Sequence, residues 1–290
     1  MLDFRPPTLD DRKLIDSFVR DSGQIGCDVS FANAYLWRKK YDIRVAFDEN
    51  TYYKCYLSNG KVTGYALPMT CGDIRVAVDR VLSDARERGG KPLIGLLNDT
   101  NAEKLHRLYR GLITIDESRD SADYIYERVH LAELSGKKYH AKRNHISRFL
   151  RTYPNYEVSE LHPGNFDDAL AVAERWQEGA EDTGELSLIR EAFEHFDELG
   201  LFGLALYVDQ RPAAMCIASE INDCVCDVHF EKAVEFDGAY AVINNEFAKR
   251  FDKYTLINRE EDMGLEGLRK AKLSYHPDIL YTKSFAVFQQ

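Results

Sequence analysis

The two halves of this chain show nearly the same order of predicted helices and strands, and this repetition constrains the fold more than any single motif does. In the first half, two helices precede three short strand-like segments, and the Asn59-Gly60 pair between the second and third segments predicts a hairpin turn. A helix, a strand, a helix and further strands follow. From Tyr156 this order returns, and a helix begins at Gly238 after three strands. A repeated order at low sequence similarity is typical of a duplicated fold.

The repetition predicts an α/β protein with mixed sheets and two tandem domains. The expected strands of the first half are Ile43–Phe47, Tyr52–Leu57, Val62–Pro68, Pro92–Leu97, Leu112–Ile115 and Tyr124–Tyr126. Those of the second half are Tyr156–Leu161, Leu204–Val208, Ala213–Ile221, Cys224–Phe230, Thr255–Asn258 and Ile279–Val287. The expected boundaries are 1–136 for an N-terminal domain, 137–152 for a basic linking helix and 153–290 for a C-terminal domain that carries the site.

Composition indicates a folded chain and restricts how it can bind nucleic acid. Of the 290 residues, 44% are hydrophobic and 30% are charged, which is a globular balance. The net charge of -10 argues against binding through an overall positive field, so nucleic-acid binding requires a local basic patch. No apolar run approaches the roughly 18 residues of a membrane span, and the N-terminus lacks a signal-peptide pattern. We therefore expect a cytoplasmic protein whose six cysteines are reduced.

One local basic segment stands out in this acidic chain. Residues 136–151 hold six Lys or Arg residues, two His residues and no acid. An exposed helix that links two domains is one explanation. The other is a clamp for a polyanion, either a tRNA backbone or anionic lipid headgroups, in which Lys137, Lys138, Lys142 and Arg143 contact phosphates. The rings of Tyr139 and Phe149 would then stack on bases, or they pack between the domains.

A polar block near the C-terminus is the strongest candidate site. It extends from Arg259 to Pro277, from a predicted strand end through a glycine-containing turn into a short helix, and ligands often bind beyond the carboxyl ends of strands. A solvated surface loop is the alternative. The Glu231-Lys232 pair, between a predicted strand and the Gly238 helix, is a second candidate. His229 is expected to be a core histidine, and the sequence shows no Ser-His-Asp order, metal-ligand spacing or Walker loop.

Several segments carry a resemblance to known transferases. They are Ser135–His140 with Asn144-His145, His229–Ala233, Gly238-Ala239-Tyr240 with Ile243-Asn244, and Asn258–Pro277. The element order resembles the GNAT acyltransferase fold, and two such units in tandem resemble the Fem-type aminoacyl-tRNA-dependent transferases. The similarity is closer to the bacterial family named for the C-terminal domain of phosphatidylglycerol lysyltransferase, also called DUF2156. In these relatives a lysine, an aromatic residue and a proline follow the same turn, and this resemblance implies that Lys272 faces the substrate.

The resemblance also bears on the donor substrate. GNAT enzymes hold the coenzyme A pyrophosphate with a Gln/Arg-x-x-Gly-x-Gly/Ala loop at the start of a helix. Aligned on Gly238, this chain has Glu235 in place of the Gln or Arg, and Tyr240 in place of the final Gly or Ala. A carboxylate repels phosphates, and a large side chain fills the space that the pyrophosphate needs. The aligned loop therefore favours aminoacyl-tRNA over acetyl-CoA as donor, unless the register is shifted or the donor binds in the other half.

The predicted function is transfer of an acyl or aminoacyl group to a lipid, peptide or small-molecule acceptor. Glu231 and Asp262 are expected to orient the incoming amine, and Tyr275 to donate a proton or a hydrogen bond, as catalytic residues. The expected substrate-binding residues are Lys232, Arg259, Glu260, Lys272 and His276. No metal is expected. The alternatives are an acetyl-CoA-dependent N-acetyltransferase and a noncatalytic binding or regulatory protein that retains the fold.

Overall fold

A computed structural model describes residues 1–179 and 183–289 of the chain. The chain divides into two compact units, and both are discontinuous in sequence. The first unit comprises Met1–Asp123, Glu261–Glu266 and Leu280–Gln290, and the second comprises Tyr124–Glu260 and Gly267–Ile279. Within the described residues, no helix combines the length and the apolar character needed to cross a bilayer.

The first unit contains the predicted antiparallel meander. Its helices are α1 (Arg12–Ser22), α2 (Phe31–Leu36), α3 (Ile74–Glu87) and α4 (Asp99–Leu108). Its strands are β1 (Ile43–Phe47), β2 (Thr51–Ser58), β3 (Lys61–Ala66), β4 (Met69–Thr70), β5 (Leu93–Leu97), the first part of β6 (Ile113–Glu127) and most of β12 (Ile279–Phe288). Asn59 and Gly60 have positive φ angles of 50° and 73°, which a two-residue hairpin turn requires. The predicted hairpin is therefore confirmed.

The second unit repeats a meander beside a parallel strand pair. Its helices are α5 (Arg128–Glu133), α6 (His140–Thr152), α7 (Phe166–Glu178), α8 (Glu185–Glu194), α9 (Ala239–Arg250) and α10 (Glu266–Leu273). Its further strands are β7 (Tyr156–Glu160), β8 (Leu201–Val208), β9 (Arg211–Asn222), β10 (Val225–Ala233) and β11 (Leu256–Asn258). The end of β6 pairs with β11, and the order continues through β10, β9 and β8 to β7. Only β10 and β11 pair in parallel among the described strands of this unit.

The units differ from the predicted domain boundaries in two ways. The strand predicted at Ile279–Val287 belongs mostly to the first unit, where β12 completes hydrogen bonding along the edge of β5. The basic helix α6 belongs to the second unit, because Phe149 lies in its apolar core and Ile146 packs against that core. The boundary between units falls after Asp123, within β6, since the last residues of that strand pair with β11. The two short strands predicted around residues 112–126 are thus parts of one strand.

Candidate functional site

The candidate site lies where β10 and β11 stop pairing. The parallel register covers three residue pairs and ends at Asp227 and Asn258, while β10 continues to Ala233. A β-bulge falls between Val228 and Phe230, and bulges are common next to active sites because they redirect side chains. After β11 the backbone turns sharply, with a positive φ of 57° at Glu260. The carboxyl ends of two parallel strands thus separate here, where α/β proteins tend to bind ligands.

An ion pair between β10 and the segment after β11 forms the centre of the site. Arg259 Nη2 donates to Glu231 Oε1 at 2.8 Å, and the two side chains are only 13% and 11% exposed. The Arg259 guanidinium also lies 5.0 Å from the Tyr275 ring centre and 5.9 Å from that of Tyr126. Burial lowers the pKa of Arg259, but Glu231 together with Tyr126, Tyr275 and Cys216 outweighs burial, and the pKa lies above its ordinary value. The Arg259 side chain is therefore charged.

Two polar atoms beside this ion pair are buried without a hydrogen-bond partner in the described part of the chain. They are Arg259 Nη1, a donor, and Asn244 Oδ1, an acceptor. The amide nitrogen of the same Asn244 contacts Glu231 Oε2 at 3.4 Å, so both atoms flank one ion pair. An unsatisfied buried donor or acceptor costs about 1–3 kcal/mol, so each such group requires an explanation. A ligand that supplies one acceptor and one donor would satisfy both.

Lys142 approaches the same site from α6. Its ammonium nitrogen lies 3.6 Å from the centre of the Tyr275 ring. Burial and the neighbouring Arg259 charge lower the pKa of Lys142 to about 8, against the opposing effect of Glu231. Burial raises the pKa of Tyr275 to about 12, so this hydroxyl stays protonated at neutral pH. The site thus combines an ion pair, a protonated tyrosine and a half-buried lysine.

Lys272 and Glu260 support the site through the backbone. Lys272 Nζ donates to the Arg259 carbonyl at 2.5 Å and to the Glu260 carbonyl at 3.1 Å. The lysine that the resemblance places against substrate therefore holds the segment that carries Arg259. Glu260 Oε1 lies 3.1 Å from His229 Nδ1. His276 Nε2 lies 3.1 Å from the Lys138 carbonyl oxygen, and the His276 side chain is exposed.

Two predicted site residues are not part of this cluster. The Lys232 side chain points toward α7 and α8. Its ammonium forms an ion pair with Glu185 at 2.7 Å and lies 3.7 Å from the Trp176 ring centre. Neighbouring residues of a strand face opposite sides, which is why Lys232 does not accompany Glu231. Asp262 belongs to the first unit, where its buried carboxylate accepts a hydrogen bond from the Gly264 amide at 2.9 Å.

The four residues of the predicted polyanion clamp have different surroundings. Lys137 and Lys138 are exposed, as a clamp requires. Arg143 instead donates to the carbonyl oxygens of Leu134 and Gly136, where it satisfies backbone groups after α5. Lys142 lies at the candidate site. The sequence carries a signal for this difference, because Lys142, Ile146 and Phe149 are spaced i, i+4 and i+7 and share one face of a helix.

The loop before α9 lacks the open helix start that a pyrophosphate would need. Glu235 forms ion pairs with Arg175 and Arg211, and Asp237 forms one with Arg148 at 2.9 Å. At Gly238 an added Cβ would lie 3.0 Å from the His145 carbonyl oxygen and 3.1 Å from Phe149 Cβ. Helix α6 therefore covers the start of α9. A depression of about 470 Å³ at this loop is lined by Arg175, Trp176, Glu178, Gly179, Val234 and Glu235.

A hydrogen-bonded chain of Ser219, His229 and Glu260 appears in the structure, although no sequence motif indicates it. Ser219 Oγ lies 2.8 Å from His229 Nε2, and Nδ1 of the same ring faces Glu260. Ser219 is 2% exposed and lies within β9, and His229 is 7% exposed. The arrangement fits a structural histidine rather than a nucleophile with its base.

Among the residues that the structure describes, three groups of side chains have ligand atoms within 4.8 Å of one another, as a metal site requires. They are Cys27, Asp123 and Glu261; Glu127, His130 and Asp278; and Asp227, His229 and Glu260. In the first group a cation is already present, because Lys283 Nζ lies 2.7 Å from Asp123 Oδ1 and 3.3 Å from Cys27 Sγ. The second group is on the surface, and in the third the histidine is already engaged by Ser219 and Glu260.

The element order defines an α/β protein with two compact units, and comparisons identify its family. The family model described as phosphatidylglycerol lysyltransferase, C-terminal, matches residues 19–287. The chain therefore belongs to this family, as the sequence resemblance predicted. An uncharacterized protein of Mycoplasmoides gallisepticum is 26% identical over 170 residues, which are 55% of this chain. The match spans 54% of that curated relative, about half of its length.

Solved structures confirm the fold class. A conserved protein of unknown function from Bacteroides thetaiotaomicron is 36% identical, with a TM-score of 0.94 and complete coverage of both chains. L-PGS from Bacillus licheniformis is 12% identical, with a TM-score of 0.67 over 96% of this chain and 92% of that chain. FemX is 8% identical, with a TM-score of 0.66 over 99% of this chain and 98% of that chain. The predicted class, α/β with two tandem GNAT-like units, is thus confirmed.

Proposed function

We propose that this protein transfers an aminoacyl group from a charged tRNA to an acceptor, at the Glu231–Arg259 ion pair of the second unit. The observation that carries the proposal is the pair of buried atoms without partners at this ion pair, one donor and one acceptor. A ligand that satisfies both presents an oxygen and an N–H group close together. An aminoacyl ester does so with its carbonyl oxygen and its α-ammonium group.

The residues of the site then have defined roles. The ammonium group lies against Glu231 and Asn244 Oδ1, and the carbonyl oxygen accepts a hydrogen bond from Arg259 Nη1. When an amine or hydroxyl attacks the ester, this oxygen gains negative charge, which a fixed guanidinium in a water-poor site stabilises. The protonated Tyr275 is a further donor. Lys272 acts indirectly, because it fixes the backbone that carries Arg259.

The surroundings of α9 favour a tRNA donor over acetyl-CoA. Helix α6 covers the start of α9, and Glu235 places a carboxylate in the loop, where pyrophosphate binding would require open backbone amides. The exposed Lys137 and Lys138 offer contacts to a phosphate backbone instead. A charged-tRNA donor also implies a cytoplasmic location. For the acceptor, the family description points first to phosphatidylglycerol, and a peptide or small molecule is the alternative.

The test is transfer from an unfractionated pool of charged tRNA that carries radiolabelled amino acids. Vesicles containing phosphatidylglycerol, a peptide mixture and small amines are offered as acceptors in parallel. We expect protein-dependent labelling of one acceptor, and a loss of about 100-fold or more in the Arg259→Met variant. The matched control is Arg250→Met, an arginine at the end of α9 whose partner is Glu160, and it should retain the wild-type rate.

Acetyl-CoA is offered as donor in a second arm of the same assay. Acetyl transfer without aminoacyl transfer would reject the proposal and favour an N-acetyltransferase. If neither donor reacts while charged tRNA still binds, the protein is a noncatalytic binding protein that retains the fold.

A further inference from the structure

Lys142 lies on the buried face of a helix whose other face is basic and exposed. On α6, Lys142 shares its face with Ile146 and Phe149, which pack into the core of the second unit. Lys137 and Lys138, by contrast, are in solvent just before the helix begins. A lysine at the end of an apolar stripe loses part of its hydration, so its position requires an explanation other than solubility.

The surroundings of Lys142 offer it no acceptor. Within residues 1–179 and 183–289, no carboxylate or carbonyl oxygen lies at ion-pairing or hydrogen-bonding distance of its ammonium nitrogen, which packs on the face of Tyr275. The nearby charges are Arg259, which disfavours a second cation, and Glu231, which is already paired with Arg259. With its pKa lowered to about 8, a substantial fraction of Lys142 is a neutral amine with a free lone pair at slightly alkaline pH.

The other polar groups of the site are unsuited to accepting a proton. Glu231 is held in its ion pair, and Tyr275 is protonated. Arg259 is a permanent cation. The amine or hydroxyl that attacks an aminoacyl ester must nevertheless lose one proton, and a proton acceptor within reach typically contributes 10²- to 10⁴-fold to the rate.

We infer that Lys142 accepts the proton that the attacking amine or hydroxyl loses, which makes it a further catalytic residue of the proposed transfer. In this step the nitrogen or oxygen of the attacking group forms a bond to the ester carbon, and its proton moves to neutral Lys142 Nζ. The bond between the ester carbon and the ribose oxygen then breaks. The lysine ammonium returns the proton to that oxygen, so the enzyme ends in its starting state and no other reactant is needed. The inference rests on the proposed function.

The Lys142→Arg variant separates proton transfer from charge. Arginine keeps the cation and much of the packing on Tyr275, but it cannot accept a proton at ordinary pH. We expect kcat to fall by about 100-fold or more with little change in KM. In the wild type, kcat should rise with pH and level off above about 8. In the variant, this rise of kcat with pH should be absent. The control is Lys249→Arg, an exchange on α9 at a lysine paired with Glu246, which should keep the wild-type profile.

A second measurement does not depend on transfer. Brief labelling with acetic anhydride over a pH series, read by peptide mass spectrometry, reports the titration of individual lysines. Lys142 should reach half of its maximal reactivity near pH 8. A midpoint at the ordinary lysine value near 10.4 would overturn the inference even if the protein transfers aminoacyl groups.

The outcomes separate this inference from the proposed function. An active wild type with an active Lys142→Arg variant overturns the role of Lys142 alone. A wild type that transfers no aminoacyl group to any acceptor overturns the proposed function, and the role of Lys142 falls with it.

Discussion

The Arg259 side chain is largely removed from water, and Glu231 compensates its charge. The stability of the folded protein therefore depends on this ion pair. Removing one partner of a buried ion pair leaves an uncompensated charge and costs about 3–5 kcal/mol. We expect Glu231→Gln to lower the free energy of unfolding by about 3 kcal/mol in urea titrations. Adding Arg259→Met to this variant should restore part of the loss, since the unpaired charge is then gone. Glu246→Gln, which breaks the exposed pair with Lys249, is the control and should cost at most about 1 kcal/mol.

Lys142 should make stability depend on pH in the opposite sense to a lysine whose pKa is raised by an acidic partner. Its pKa is near 8 in the folded protein and near 10.5 when unfolded, so the folded state binds the proton more weakly. Burying the charged ammonium therefore costs folding free energy. This cost is present in full below pH 8 and disappears as the pH rises through 10.5. Replacement by Met removes the group that carries this cost. Because the side chain is only half-buried, we expect Lys142→Met to stabilise the protein at pH 7 by roughly 1 kcal/mol.

The gain in unfolding free energy from Lys142→Met should vanish above pH 10.5. Other groups also titrate in this range, but their contribution is the same in both proteins. The difference in unfolding free energy between variant and wild type therefore reports Lys142. Urea unfolding at pH 7, 9 and 11 measures it. An equal gain at all three values would show that the variant acts through packing rather than through charge.

At the scale of residues, sequence reasoning identified part of the site. It grouped Glu231, Arg259 and Tyr275, and the structure brings these three together. It also grouped Asp262 with them, but the chain passes into the first unit after Glu260, and no change of composition marks that point. The net charge of the basic segment suggested a surface position for Lys142, because net charge does not show which face of the helix each residue occupies.

Among the elements, α6 and the segment before it present two different surfaces. Its apolar face packs against the core and covers the start of α9, while the segment before it exposes Lys137 and Lys138. Its existence as a basic helix was predictable from a run of cations without acids. Its burial against α9 was not, because the partner face lies about 100 residues away in sequence. The two meanders were easier to predict, since hairpins connect neighbours in the chain.

This division of α6 predicts which cations matter for RNA binding. Exchanging Lys137 and Lys138 for Gln should lower the slope of log affinity against log salt by roughly 1.4–1.8, at 0.7–0.9 for each phosphate that is no longer neutralised. The paired exchange of Lys249 and Lys253 for Gln, which changes the charge equally at lysines that already have acidic partners, should leave the slope unchanged. Titration of charged tRNA at several salt concentrations measures both. Equal slopes for the two variants would show that the RNA backbone binds elsewhere on the protein.

At the scale of the whole molecule, the order of elements predicted a duplicated fold, but it did not predict that both units are discontinuous. The first unit takes its last strand from the C-terminus, and the second begins inside β6. A sequence pattern identifies a strand without identifying its neighbour. Strand β12 pairs antiparallel with β5 although it follows most of the second unit in the chain.

The boundaries predict which fragments fold. A fragment of residues 153–290 lacks Tyr124, Tyr126, Leu131 and Phe149, which are fully buried members of the core of the second unit. Losing a large core side chain typically costs about 2–5 kcal/mol, so losing four costs about 8–20 kcal/mol, which is comparable to the roughly 5–15 kcal/mol that stabilises an ordinary domain. We expect this fragment to be unfolded, whereas a fragment of residues 124–279 retains these side chains and should unfold cooperatively on heating. Circular dichroism melting curves of the two fragments test this prediction. A cooperative transition for residues 153–290 would contradict the boundary at Tyr124 and support a boundary near residue 153.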